Sequence, residues 1–516
     1  MEQILKKYVT FSDVRIGKLD ILMSAWWLYI ILRTYFVEGA PCSEKILDFT
    51  FLYSIYVICR ILFSVIHVRS VILEYSLLAF TVFEMLYGAF QLIVGHSNHF
   101  LYPMTGTFHN PGPYSAAIAM GMSLIISMLH GDGRTVIKKY YYAFLFIGCI
   151  ILSITWSRSA FVAVSVISIL IYWSHVKRCK YYVICGSIIM AAFILYMKIG
   201  SALGRIVIWV ISISLIGRKT FFGYGVNGFE GAYSSGLINF FSDTSHCQFA
   251  KYVNIAEYSF NDFIQLAVEQ GLIGLSFAIF SLIIVLRMLF KESKPLFWGS
   301  ISLILFAQFS YPFQLMPYKI IIIICASYAG CKDVLFRRSR IWNIPLIAIS
   351  LCLCLVSFYN IIMRINNARK AELLFRSYYF NMKDYYALLP SCSENKYFLF
   401  DFGKRLRQDK RYLDSNGILS MGLRISNDPM FLVLIGNNYK DMKILDKAEM
   451  YYKRAYIQMP NRLYPLFQLY KLYDLMNENV KKLKVAEKLR SLKPKVETIA
   501  TSQMQYEIEF ILKNNK

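Results

Sequence analysis

Apolar runs as long as a bilayer is thick recur along this 516-residue chain, and they restrict its fold more than any other feature. A spanning helix needs about 20 mostly apolar residues. Runs of that kind lie at roughly 20–37, 48–66, 71–94, 113–129, 140–156, 158–174, 181–198, 262–288, 296–313, 318–335 and 342–363. Inside a bilayer every backbone N–H and C=O must be satisfied within the protein, so runs of this length are helices. The expected fold class is all-α: a polytopic membrane protein with about 11–12 transmembrane helices and a C-terminal helical-repeat domain. Hydrophobic residues make up 57% of the chain, against about 45–50% in soluble domains. The first 19 residues are polar and basic, and the first apolar run continues into a full span, so no cleavable signal peptide is expected. The segment 206–216 is apolar but too short to cross unaided, and it is read as interfacial or re-entrant.

Charge orients the spans. The formal net charge is +24, and much of the Lys and Arg sits in alternate short connections: Lys6, Lys7, Arg15 and Lys18, then Arg69, then Arg134, Lys138 and Lys139, then Lys177, Arg178 and Lys180, then Lys291 and Lys294, then Lys332, Arg337, Arg338 and Arg340. Basic connections belong in the cytoplasm. The opposite set is 95–112, the turn at Ser157-Arg158, a long loop 199–261 and everything after 364. Eleven spans put the C-terminal region outside, in the periplasm of a bacterium. A twelfth would put it inside and break the alternation. Nucleic-acid binding is not expected, since no basic domain or reading motif stands alone. The eleven cysteines fall mostly in apolar runs and form no CxxC pair, so neither a metal site nor a disulfide framework is expected.

The tail, about 365–516, is soluble in composition and helical in period. It carries a 34-residue echo: Leu432 with Leu466, Tyr439 with Tyr473, Ala455 with Leu489 and Pro460 with Pro494. That is the tetratricopeptide period. Leu445–Pro460 is its best single match, and 368–425 could hold a degenerate third repeat. Such arrays bind peptides or proteins; the alternative is a helical hairpin that only packs on the long loop.

Several polar residues on the outward side could carry chemistry. Arg158 stands between Ser157 and Ser159 at a span junction, Arg205 precedes Trp209, and Arg218 and Lys219 follow the short helix. Guanidinium groups grip phosphate oxygens two at a time, a geometry suited to a diphosphate, although single arginines at a membrane boundary also serve as snorkelling anchors. Gly106–Pro113 reads as a turn entering a helix, with His109 and Asn110 facing an outward cavity. Gly223, Gly225 and Gly228 lack the spacing of a dinucleotide loop and read as a tight turn. The candidate general bases are Glu257, His246, Asp262 and His109. Glu257 could share a helical face with Asn261 if that helix starts early, Asp262 suits a helix start, and Glu269 is an intramembrane carboxylate, hence functional or tightly paired.

Gly106–Pro113, Trp156-Ser-Arg158-Ser-Ala160, Gly204-Arg205 with Trp209, Gly223-x-Gly225 with Phe229, and Phe260-Asn-Asp-Phe-Ile-Gln265-x3-Glu269-x-Gly271-Leu-Ile-Gly274 occur in that order. The ordered set resembles the O-antigen ligase and polymerase superfamily, which includes bacterial protein O-oligosaccharyltransferases, over about 100–280; the tail resembles forms with C-terminal repeats in the Bacteroidetes. The resemblance implies a metal-independent, inverting GT-C-type glycosyltransferase of the bacterial inner membrane. It would move a glycan from an undecaprenyl-diphosphate carrier to a periplasmic acceptor: lipid A core, a growing glycan or a protein. It implies no cofactor and no metal. Residues 1–363 would be the transfer domain, with 199–261 as its large periplasmic loop, and 364–516 a periplasmic tetratricopeptide-like domain able to dock a protein partner. Arg158 and Arg205 match the family arginines that hold the diphosphate, with Arg218 a third candidate. Glu257, His246 and Arg205 are the expected catalytic groups, and His109, Asn110, Asn261 and Asp262 the cavity lining. Phe260 departs from the pattern, because many ligases place a His there. A repeat-unit polymerase and a lipid-linked glycan flippase are the alternative functions.

Overall fold

A computed structural model describes residues 15–37, 44–99, 101–131, 135–179, 181, 199–333, 335–337, 343–377, 379–494 and 497–514. The expected span at 181–198 lies almost wholly outside them. Helices make up the fold, and among the described residues the only strand pairing is a two-residue antiparallel bridge of Arg15–Ile16 with Phe336–Arg337. The chain is an all-α polytopic membrane protein. Among the described residues seven helices are long and apolar enough to cross a membrane: Ile46–Ile66, Ser70–Val94, Pro111–Gly131, Lys138–Thr155, Ile199–Arg218, Asp262–Glu292 and Pro345–Arg376.

The chain divides into two compact units. The first comprises residues 1–199, 220–223 and 258–358. Its helices are α1 (Lys18–Phe36), α2 (Glu44–Ile66), α3 (Ser70–Val94), α4 (Pro111–Gly131), α5 (Thr135–Thr155), α6 (Arg158–Ile171), α9 (Asp262–Glu292), α10 (Lys294–Ala307), α11 (Met316–Gly330) and the first part of α12 (Asn343–Arg376). Helix α4 is the centre of this bundle and is buried along almost its whole length. Small residues admit its neighbours: a Cβ on Gly121 would meet Thr81 of α3, and one on Gly299 of α10 would meet Leu124 of α4.

Helices α6, α10 and α11 contain 14, 14 and 15 residues. At 1.5 Å per residue they reach about 21–23 Å, short of the ~30 Å hydrocarbon core. The expected runs 296–313 and 318–335 are therefore corrected to two shorter helices flanking an irregular segment, 308–315, which holds a 3-10 turn at Pro312–Gln314. The expected short segment 206–216 is corrected in the other direction. It belongs to α7 (Ile199–Arg218), a helix of 20 residues, which is the length of a span.

The second unit comprises 200–219, 224–257 and 359–516. It holds α7 from Gly200, α8 (Phe229–Ser242), a 3-10 helix at Thr244–Tyr252, the end of α12, and α13 (Met382–Cys392) to α20 (Ile499–Asn514). Between those last two lie α14 (Lys396–Gln408), α15 (Tyr412–Ile425), α16 (Pro429–Asp441), α17 (Leu445–Gln458), α18 (Leu463–Leu475) and α19 (Asn479–Ser491). The hairpins α16/α17 and α18/α19 start 34 residues apart. Position 363, the expected end of the membrane part, falls inside the continuous helix α12. The tail helices α15 and α17 pack against α8, so the long loop and the tail share one unit.

Candidate active site

The Gly106–Pro113 turn is built by side chains of α3. Gly106 has φ +59°, in the left-handed region that suits glycine, and a Cβ there would lie 2.3 Å from Glu84 Oε2. Glu84, fully buried, accepts from the Thr107 amide (3.0 Å) and the Thr107 hydroxyl (2.6 Å). Gln91 accepts from the Thr105 and Gly106 amides (2.9 Å each) and donates to the Gly106 carbonyl (2.9 Å). The Glu84 carboxylate and the Gln91 carboxamide thus satisfy the backbone of the buried Thr105 and Gly106 and of Thr107 beside them. Asn110 Oδ1 accepts from the Gly112 amide (3.0 Å), closing the turn that starts α4. The exposed His109 ring lies 5.2 Å from that of His99.

The second motif meets the first. Trp156 has φ +49° and Ser157 is extended at the N-cap of α6, which makes Arg158 the first helical residue; it is half-buried. Ser157 Oγ is hydrogen-bonded to Ser115 Oγ of α4 at 2.5 Å. Tyr318 of α11 donates to the Pro113 carbonyl at 2.5 Å, and its ring stacks on Phe108 at 5.5 Å.

The third motif, Phe260–Gly274, docks on the irregular segment 308–315. Asn261, not Asp262, is the N-cap of α9: its Oδ1 accepts from the Phe263 and Ile264 amides (3.0 and 3.1 Å), and its Nδ2 donates to the Gln308 carbonyl (3.2 Å). Asp262 accepts from the Phe313 amide (2.8 Å) and Gln314 Nε2 (3.0 Å). The Tyr311 ring stacks on Tyr258 (4.2 Å) and stands edge-on to Phe260 (5.7 Å). Glu269 is buried and accepts from Gln265 Nε2 (3.0 Å). Since α9 starts at Asp262, Glu257 lies in non-helical backbone and shares no helical face with Asn261. The residues that tie the motifs together, Gln308, Tyr311, Gln314 and Tyr318, were not among the expected site residues. Their signal was Pro312 at the end of the run 296–313 and Pro317 just before the run 318–335, with the polar Gln308 and Gln314 beside them.

Helix α9 breaks at Gly271 (φ +68°). The amides of Leu272 and Ile273 donate to the carbonyls of Thr220 (2.8 Å) and Phe221 (3.5 Å) instead of to their own helix. The next two carbonyls, of Phe222 and Gly223, accept from the buried Arg33 guanidinium, the latter at 3.0 Å. Trp26 and Tyr29 of α1 hold Gln270, beside the break, through its side-chain and backbone oxygens (2.8 and 2.6 Å). Residues 220–223, leading into the Gly223-x-Gly225 turn, are therefore a strap set into the break of a membrane helix.

The second unit holds the other expected groups. Arg205 is half-buried on α7 beside Gly204, where a Cβ would lie 2.7 Å from the Tyr252 carbonyl. Arg218 is exposed in the last turn of α7, where a cation suits the helix dipole. The His246 ring stacks on Phe240 at 4.1 Å, and its Nδ1 lies 2.8 Å from the Phe240 carbonyl. A carbonyl only accepts, so Nδ1 carries the proton in this contact. Glu257 accepts from Lys396 of α14, whose ammonium also reaches both carboxylate oxygens of Glu230 (2.8 and 2.9 Å). Burial disfavours the Lys396 ammonium, but its bonds to Glu230 and Glu257 outweigh this and hold its pKa above the ordinary lysine value. Burial pushes the Glu230 carboxyl above its ordinary value despite the Lys396 bond. Among the described residues no three His, Cys, Asp or Glu side chains group closely enough to hold a metal ion.

Residues 143–279 match the family model described as O-antigen ligase. The matched stretch takes in Arg158, Arg205, Arg218, His246, Glu257, Asn261, Asp262 and the break at Gly271, and it covers little over a quarter of the chain. The Gly106–Pro113 turn precedes it. No curated protein matches the chain.

Proposed function

We propose that this protein is a membrane glycosyltransferase of the O-antigen ligase type, passing a glycan from undecaprenyl diphosphate to a periplasmic acceptor. The observation that carries this reading is the family match across 143–279, the stretch where the charge pattern puts its outward-facing polar residues. In the reaction the acceptor oxygen bonds to the anomeric carbon as the bond from that carbon to the diphosphate breaks. The electron pair leaves on the diphosphate, and the acceptor proton passes to a base. Arg158 and Arg205, with Arg218 as a third candidate, are assigned to the diphosphate, whose growing charge guanidinium groups stabilise without a metal. Glu257 is assigned as the base, and His246 is second. An oxocarbenium-like transition state makes a weak base sufficient.

The tail and 199–261 are assigned to the periplasm. Support for a non-crossing α7 comes from its neighbours: Tyr252 lies against Gly204, and Gly236 against Ile211 and Leu215, so segments of the polar loop line it near its start and over its second half.

Replacing Arg158 or Arg205 by Ala is expected to abolish surface glycan while the protein stays in the membrane; normal glycan in both variants overturns the assignment. A deletion strain separates the acceptors. Full-length polymer accumulating on the carrier indicates a ligase, whereas single-unit glycan still attached with polymer lost indicates a polymerase.

A further inference from the structure

We infer that Lys396, a residue of the tail, is a positioning residue for the transfer reaction: it fixes the Glu257 carboxylate by one oxygen and leaves the other to receive a proton. This inference rests on the assignment of Glu257 as the base. The geometry supporting it lies entirely within the second unit.

Lys396 is the first residue of α14, whose N-cap Asn395 accepts from the amides of Tyr397 (3.1 Å) and Phe398 (3.2 Å). A cation at a helix N-terminus opposes the helix dipole. Its placement there needs compensation, and the two carboxylates of Glu230 and Glu257 provide it. The ammonium is enclosed, with 19% of the Lys396 side chain exposed, 15% of Glu230 and 47% of Glu257. Glu230 and Lys396 are thus the buried frame, and Glu257 is the member that faces solvent.

The frame is rigid because α8, which carries Glu230, is clasped by the tail at three further points. A Cβ on Gly231 would lie 2.7 Å from the Ile425 carbonyl. Asn427 Nδ2 donates to Ser235 Oγ (3.1 Å). Gln458 Nε2 donates to the Ser234 carbonyl (3.2 Å) and to the Asn427 carbonyl (2.6 Å). Glu257 has no helix of its own to hold it. Its Oε1 takes Lys396 and, at 3.4 Å, the Tyr397 hydroxyl, while Oε2 makes no hydrogen bond among the described residues. The charged and titratable groups around the hub are Glu230 of α8, Lys396 and Tyr397 of α14, and Asp428 ahead of α16. One ammonium therefore serves two carboxylates, and changing either side of that arrangement changes how firmly the Glu257 carboxylate is held.

The test is the turnover of the full chain in detergent with kcat and KM resolved. The probe is the undecaprenyl-diphosphate glycan extracted from the deletion strain, and release of undecaprenyl diphosphate is followed. Lys396→Met is expected to lower kcat about tenfold or more while KM for the donor stays within about twofold, as when a reacting group loses its orientation but the donor still binds. Lys396→Arg is expected to restore most of the wild-type kcat. Lys396→Gln, which keeps one hydrogen-bond donor for Glu257, is expected to fall between the two, and it carries the test if Lys396→Met does not fold. A folded Lys396→Met or Lys396→Gln protein with wild-type kcat, or one whose loss lies wholly in KM, overturns the inference. Wild-type turnover by Glu257→Gln removes Glu257 as the base. Loss of turnover in that variant with wild-type kcat in the Lys396 variants leaves the base in place and removes only Lys396.

Discussion

Gly271 crosses Phe221 so closely that a Cβ on Gly271 would lie 2.1 Å from the Phe221 carbonyl oxygen. At the same crossing a Cβ on Gly223 would lie 2.5 Å from the Val268 carbonyl oxygen, and both glycines have positive φ, +68° and +65°. Backbone presses on backbone from both sides, so nothing can rotate away. Gly271→Ala and Gly223→Ala are each expected to cost more than the ~1–3 kcal/mol of a strained backbone alone, because the clash adds to the strain. Thermal unfolding in detergent should show a lowered midpoint for both variants. A control Gly217→Ala, where a Cβ meets nothing within 4 Å, should unfold like wild type.

The Glu84–Thr107 pair should behave as a unit. Glu84→Gln turns an amide hydrogen toward donors that need an acceptor, and an unsatisfied buried group costs about 1–3 kcal/mol. Thr107→Val removes one of those donors. A double-mutant cycle on thermal stability should therefore show coupling, with the double variant losing less than the sum of the singles. Strict additivity would mean that the turn does not depend on this carboxylate.

Phe260 holds φ +56° next to the helix cap, a costly conformation for a bulky residue. Its ring stands edge-on to Tyr311, which offsets part of that cost. Phe260→Ala keeps the strain and loses the ring, whereas Phe260→Gly loses both. The Gly variant should thus be the more stable of the two, by about 1 kcal/mol. Equal melting temperatures for the two would argue against strain at this position.

The parts of the fold and site that were readable from sequence are those fixed by local pattern. Apolar length marked the membrane helices, Asn110 and Pro113 marked the start of α4, and a 34-residue spacing marked the paired helices of the tail. The parts that were not readable depend on distant partners. Gly200, Ser201 and Gly204 made the first turns of α7 look like loop, although the helix runs through them. Gly271 sits in a run that reads as one unbroken helix, and its reason is the strap at 220–223. Glu84 is a charge inside the apolar run 71–94, and its donors come from the turn at Thr107, outside that run. Glu257 reads as a candidate base with Asn261 as its neighbour, because its partner, Lys396, is 139 residues away.

The same hub gives the second unit a defined response to alkali. The Lys396 ammonium is favoured in the folded state, its pKa lying above the ordinary lysine value because of Glu230 and Glu257. A basic group whose pKa is raised by folding contributes stability that is fully present below its unfolded value, about 10.4, and is lost as pH rises through the folded value. The thermal midpoint of the full chain should therefore drop between about pH 10 and the folded Lys396 value, beyond what the remaining lysines and tyrosines cause. Lys396→Met should start with a lower midpoint at neutral pH, since it leaves Glu230 buried with no cation, and should lose less over that alkaline window. Lys396→Arg, whose charge persists through the same window, should start near wild type and also lose less. Parallel curves for wild type and Lys396→Arg would show that the hub adds nothing to stability in alkali.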